Sequence, residues 1–189
     1  MGDLRVIGGK AGGLRLRSVP GTSTRPITDR VKESLFNILG ADIQGSTMLD
    51  VFSGTGAVGI EALSRGAVFV RMLDLNRQAI QTIHANLEHT RLSACADVIQ
   101  VDSLNYIQRL PNRTFDYIYI APPQYKQMWL ETLQKVDAQP GWLVDDGWII
   151  VQIHPVEYEP VQLNNFIEFD QRKYGSTLLV FFEKKSNQG

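Results

Sequence analysis

The chain of 189 residues is 43% hydrophobic with a formal net charge of −1, which suits one well-cored domain with an appendage and argues against a uniformly basic nucleic-acid binder. Its single cysteine, Cys95, excludes a disulfide framework or a cysteine-based zinc site and points to a reducing compartment. No stretch approaches the ~20 apolar residues of a membrane span, so a soluble, cytoplasmic protein is expected; the isolated histidines His84, His89 and His154 offer no metal site.

In chain order, residues 4–7, the glycine cluster of 8–13 and residues 14–19 alternate apolar and polar types, which predicts a β-hairpin arm. Leu14, Leu16 and Val19 share one side of its second half and Arg15 and Arg17 the other, so the arm can rest on the body with its arginines outward. Residues 1–40 hold seven Lys or Arg against three Asp or Glu, a local charge of +4 on an acidic remainder. That contrast marks either a solvated face or a phosphate-binding footprint. Its candidate contacts are Arg5, Lys10, Arg15, Arg17, Arg25, Arg30 and Lys32. A polar linker over 20–26 leads to a helix capped by Thr28 or Asp29, with Val31, Leu35, Ile38 and Leu39 as its apolar stripe. The expected division is a basic arm and linker over 1–25 and one α/β domain over 26–189.

Residues 47–52 read as a strand, and 57–65 as a helix that Gly66 stops. Gly54, Gly56 and Gly59 between and within them form a G-x-G-x-x-G at a strand-to-helix junction, the context in which that motif cradles a cofactor. Asp50 bears on which one. A carboxylate at the strand end repels a pyrophosphate and attracts the sulfonium and ammonium of S-adenosylmethionine. Asp74, at the end of the next strand (68–74), is placed to accept from ribose hydroxyls of either cofactor type. Phe52 and Leu75 flank these carboxylates. A helix over 77–90 turns Ile80, Ile83 and Leu87 inward.

A third strand over 97–101 delivers Asp102, which either reaches an adenine amino group or caps the short helix that begins at Ser103. A fourth strand, 115–120, runs into Ala121-Pro122-Pro123-Gln124-Tyr125. A helix over 127–136, a fifth strand over 148–153 and a terminal strand pair, 166–174 and 177–182, complete the chain. Strand and helix alternating, closed by a hairpin, describe a doubly wound, mostly parallel sheet with an antiparallel edge.

Three blocks resemble the RsmD type of bacterial small-subunit ribosomal RNA guanine-N2 methyltransferases: Arg5-Val6-Ile7-Gly8-Gly9, the run from Arg25 to Asn37 (RPITDRVKESLFN), and the run from Leu49 to Ala67 (LDVFSGTGAVGIEALSRGA). The resemblance spans nearly the whole chain, and the second block is the one specific to that family. It implies a Rossmann-like class I methyltransferase fold with a seven-stranded sheet. It also implies S-adenosylmethionine held near Asp50, Phe52, Gly54, Gly56, Asp74, Leu75, Asp102 and Ser103. The implied substrate is a guanine exocyclic amine of 16S ribosomal RNA within the small subunit, acted on by a monomer.

The chain departs from that family after the fourth strand. Asp or Asn followed by Pro-Pro and an aromatic residue is usual there; Ala121 has no side-chain acceptor and Gln124 displaces Tyr125 by one position. In the usual loop the side-chain oxygen and the first proline carbonyl accept both amine protons, and the ring stacks on the base. Losing one such acceptor costs about 10²–10³ in rate, whereas holding amine and methyl in line supplies roughly 7–11 kcal/mol. Pro122 and Pro123 still fix the backbone, and the Gln124 amide oxygen is a candidate replacement acceptor. The expected catalytic set is therefore Ala121, Pro122, Pro123, Gln124 and Tyr125. Three alternatives stay open: a methyltransferase for another planar amine, adenine N6 or protein glutamine; an RNA-binding assembly factor that keeps the pocket without the chemistry; and, disfavoured by Asp50, a nucleotide-dependent oxidoreductase.

Overall fold

The structure is a computed structural model that describes residues 4–21, 27–124 and 127–186. Two of the expected site residues, Arg25 and Tyr125, lie outside the described residues, as does most of the linker over 20–26. The chain divides into two units, Met1–Asp102 and Ser103–Gly189.

In the first unit, Thr28 caps α1 (Asp29–Leu39) by accepting from the Val31 N–H at 3.3 Å, and Gly40 at φ 57 ends it. Then follow β1 (Thr47–Asp50), α2 (Ala57–Ser64), β2 (Phe69–Asp74), α3 (Arg77–Thr90) and β3 (Ala96–Gln100). The three strands pair in parallel in the order β3-β2-β1. Parallel strands buried on both faces read as continuous apolar runs, and Met48, Leu49, Val70, Met72 and Leu73 are all fully buried. The third glycine of the motif serves this packing. A Cβ at Gly59 would stand 2.7 Å from Met72 Cε and 3.0 Å from Val70 Cγ1, so α2 lies as close to β2 as a side-chain-free position allows.

The second unit holds α4 (Ser103–Ile107), β4 (Phe115–Ile120), α5 (Met128–Ala138), β5 (Leu143–Ile153), β6 (Phe166–Tyr174) and β7 (Thr177–Lys184). Here β4 and β5 are parallel, and β7 pairs antiparallel with both β5 and β6. The alternation of strands and helices and the antiparallel C-terminal strand agree with the expected Rossmann-like class. The strand β5 begins at Leu143, earlier than the apolar pattern predicts. Asp145 and Asp146 are exposed and resemble a turn, yet Gly147 lets the strand continue: a Cβ there would meet the Asp116 carbonyl at 2.7 Å.

The arm pairs as the expected hairpin: Arg5 and Arg15 form an antiparallel bridge, flanked by cross-strand bonds from Val6 N–H to Leu14 O (2.9 Å), Leu16 N–H to Leu4 O (2.7 Å) and Gly13 N–H to Val6 O (2.8 Å), with a 3-10 turn at Gly9–Ala11 between the two runs. Other backbone donors of the arm are taken by side chains of the body. Glu61 accepts from the N–H groups of Ile7 (2.8 Å) and Gly8 (2.9 Å), Ser64 Oγ from Ala11 (2.9 Å) and Asn86 Oδ1 from Arg17 (2.7 Å). Leu16 and Val19 are buried as expected, but Leu14 is 37% exposed.

Candidate functional site

Within the first unit, the parallel register brings the carboxyl ends of β1, β2 and β3 to one edge. The loop after β1 is bonded to the end of β2: Ser53 N–H donates to Leu73 O (2.9 Å) and Gly54 N–H to Asp74 Oδ2 (2.9 Å). The residue after β3 is bonded there too, Val101 N–H donating to Asp74 O at 3.0 Å. Asp74 Oδ1 accepts from Asn76 N–H at 2.8 Å, and Asn76 caps α3 through Gln78 N–H at 2.8 Å. Asp74 thus fixes the glycine turn and the start of α3, and each oxygen retains one further lone pair.

Gly54 at φ 54 and Gly56 at φ 78 occupy the left-handed region that favours glycine. A Cβ at Gly54 would meet nothing within 4 Å, so open space lies against the turn at that point. Phe52 is half-buried beside it, and Leu75 stands 64% exposed at the end of β2. Asp102 is half-buried and directly precedes α4, whose first residue, Ser103, is buried.

Asp50, at the end of β1, is 1% exposed, and its Oδ1 has no hydrogen-bond partner. Burial pushes its carboxyl up to about 7, with the nearby Asp74 charge adding to the effect and hydrogen bonds from Ser53, Gly59 and Phe52 opposing it. A buried, unpartnered carboxylate oxygen lacks a donor, and open space lies against the turn at Gly54, with the exposed Leu75 at the neighbouring strand end. This acidic surround, with one buried carboxylate oxygen unpartnered, fits S-adenosylmethionine, a cation without phosphates. It does not suit a pyrophosphate. Among the described residues no group of His, Cys, Asp and Glu side chains could hold a metal ion.

In the second unit, β4 ends at Ile120 and passes into Ala121 and Pro122, both half-buried, then Pro123 and Gln124, both exposed. Gln124 lies in a turn. On the adjacent strand end, Gln152 Oε1 accepts from Tyr119 Oη–H at 2.5 Å. Sequence patterning missed this pair, which lies 33 residues apart.

The basic candidates separate into two groups. Lys10, Arg15, Arg17 and Arg30 are exposed, as is Arg5, which forms a 2.9 Å ion pair with Asp29. Lys32 is not a phosphate contact: it is fully buried, pairs with Glu61 at 3.5 Å and donates to the Arg5 carbonyl. Desolvation holds its ammonium below the ordinary lysine range, against the raising influence of Glu61 and Asp29. Glu61 also takes the half-buried Arg65 at 2.7 Å, and the Lys32–Glu61–Arg65 cluster clamps the arm onto α1 and α2. Asn86, fully buried on α3, adds a second clamp. Its Nδ2 donates to the carbonyls of Arg17 (3.1 Å) and of Thr55 in the glycine turn (2.9 Å).

Comparison with known proteins covers both units. The model of the family described as "Conserved hypothetical protein 95" matches residues 4–183. The Bacillus subtilis protein YlbH is 37% identical over 185 residues, covering 96% of this chain and all of that protein. The Escherichia coli "Ribosomal RNA small subunit methyltransferase D" is 32% identical over 151 residues, 80% of this chain and 75% of that protein. The solved structure of Escherichia coli yhhF superposes with a TM-score of 0.86 at 28% identity, covering 98% of this chain and all of that one.

Proposed function

This chain belongs to the RsmD family of ribosomal RNA methyltransferases, and from that premise we propose that it methylates the exocyclic N2 of a guanine in 16S ribosomal RNA with S-adenosylmethionine as donor. The observation that carries the choice of donor is the buried Asp50 oxygen left without a partner beside an open glycine turn. A cationic ligand supplies what that oxygen lacks; a dinucleotide brings phosphate charge toward Asp50 and Asp74. Asp50, Gly54, Gly56 and Asp74 would hold the donor, with Phe52, Leu75, Asp102 and Ser103 around its nucleoside. Bound there, S-adenosylmethionine supplies an electrophilic methyl group on a sulfonium.

The chain's own contribution is orientation. A guanine amine is weakly nucleophilic because its lone pair is delocalised into the ring, so the reaction depends on holding nitrogen and methyl in line and excluding water. Pro122 and Pro123 fix φ and present carbonyls without competing N–H groups, which makes a rigid acceptor rim. Gln124 and Tyr125 are candidate contacts to the base amine and base face. No covalent intermediate on the protein is needed, and the amine proton leaves to solvent after transfer. Lys10, Arg15, Arg17 and Arg30, with Arg25, are the candidate phosphate contacts.

The reading is tested by incubating the purified protein with methyl-labelled S-adenosylmethionine and small subunits lacking the modification. Label appearing in 16S ribosomal RNA supports it. Donor binding without transfer supports the assembly-factor alternative.

A further inference from the structure

Ala121 deprives the acceptor rim of the side-chain oxygen usual at its position, and the second unit holds a substitute on the neighbouring strand. The strands β4 and β5 are parallel, with Tyr117↔Trp148, Tyr119↔Ile150 and Ile120↔Val151 in register. Side chains alternate across a strand. Tyr117 and Trp148 meet edge to face with ring centroids 6.3 Å apart, which places Tyr117, Tyr119, Trp148 and Gln152 on one face. Extending the register by one residue beyond Ile120 sets Ala121 opposite Gln152, with its methyl group on that same face. A side chain only one carbon long at 121 leaves room there for the longer amide.

We propose that Gln152 supplies the amine-accepting oxygen that Ala121 lacks, and that Tyr119 acts as the positioning residue that aims it. This inference rests on the methyltransferase reading above. The Gln152 side chain is only half-buried, so its amide can reach a ligand at the strand ends. Its Oε1 accepts a hydrogen bond from the Tyr119 hydroxyl, oxygen to oxygen 2.5 Å, and a carbonyl oxygen has a second lone pair. That lone pair accepts a hydrogen bond from one N–H of a planar amine while a proline carbonyl of 122–123 accepts one from the other. The hydroxyl bond fixes the torsion of an otherwise flexible side chain, so the acceptor is organised before the base arrives. Tyr119 itself is 2% exposed and therefore acts through Gln152, not on the base.

The test compares Gln152→Leu, Gln152→Glu, Tyr119→Phe and Gln124→Ala in single-turnover methyl transfer to undermodified small subunits, with melting temperature and S-adenosylmethionine affinity measured for each. Gln152→Leu is expected to lower kcat by about 10²–10³-fold while donor affinity and melting temperature stay near those of the parent. Gln152→Glu keeps an acceptor for the tyrosine hydroxyl and is expected to stay within about tenfold of the parent, and Tyr119→Phe to lose about tenfold through kcat and not KM. The decisive variant adds Ala121→Asp to Gln152→Leu: it restores the missing acceptor from the other strand, and its rate is expected to return to within about tenfold of the parent. A purely structural role for Gln152 would not be repaired in this way. Full activity in Gln152→Leu, or a loss that Ala121→Asp leaves unrepaired, overturns the proposal. So does a loss of the same size confined to Gln124→Ala. A parent protein that transfers no methyl group at all refutes instead the reading on which the proposal rests.

Discussion

Replacing Asp50 by Asn separates the two things its carboxylate does. In the fold the group ionises near pH 7 against an ordinary value of 3.8, so above pH 8 its charge costs the ligand-free protein on the order of 4 kcal/mol. The folded pKa is raised, so this group's contribution to stability is complete below pH 3.8, declines as the pH rises, and is gone above pH 7. Lys32, whose pKa is lowered in the fold, acts in the opposite direction, losing stability as the pH falls. The difference between parent and Asp50→Asn isolates the carboxylate from that background. Urea unfolding at pH 5 and pH 8 should show the parent losing stability relative to the variant by about 2–3 kcal/mol between the two. Calorimetric titration with S-adenosylmethionine should show the reverse preference. The parent binds more tightly at pH 8 than at pH 5, with proton release between, because a bound cation favours the ionised carboxylate. The variant should bind about 10–100-fold more weakly, in keeping with a charged contact of about 1.5–3 kcal/mol, and with little dependence on pH. Parallel pH profiles for parent and variant, in both unfolding and binding, would refute this account of the crevice.

Other consequences follow from the packing and from the arm. Glu61→Ala strands the Lys32 ammonium in the core and frees the N–H groups of Ile7 and Gly8; a loss of about 3–5 kcal/mol in chemical denaturation is expected. Arg17→Ala, by contrast, removes an exposed side chain; it should leave the unfolding midpoint unchanged and lower the slope of log K against log salt for RNA binding by roughly 0.7–0.9. Asn86→Ala breaks the bonds to Arg17 and Thr55 and should cost about 2–4 kcal/mol, with added protease sensitivity of the arm over 4–19. Gly59→Ala forces a methyl toward Met72 and Val70 and should destabilise by about 1–3 kcal/mol in chemical denaturation.

Much of this fold follows from local pattern. The helix α3 occupies Arg77–Thr90 and β4 Phe115–Ile120, as the periodicity of their apolar residues predicts, and the carboxylates Asp50 and Asp74 stand at strand ends because the apolar runs stop there. What local pattern could not show are contacts between residues far apart in the chain. Lys32 reads as a surface cation on an amphipathic helix, and only Glu61 on another helix explains its burial. The arm pairs with itself as its alternation predicts, but the side chains of Glu61, Ser64 and Asn86 that take its other backbone donors and pin it to the body lie more than 50 residues away. Gly147 turns an apparent Asp-Asp-Gly break into continuous strand by its close approach to Asp116. The Tyr119–Gln152 bond crosses two strands, and the gap it answers was legible only as a missing oxygen at Ala121.

The most direct test of the proposed chemistry is nucleoside analysis of 16S ribosomal RNA after undermodified small subunits have been incubated with this protein and methyl-labelled S-adenosylmethionine. The account predicts label in N2-methylguanosine alone, in stoichiometric amount and dependent on Asp50. Label in N6-methyladenosine, label confined to protein, or no transfer despite tight donor binding would contradict it.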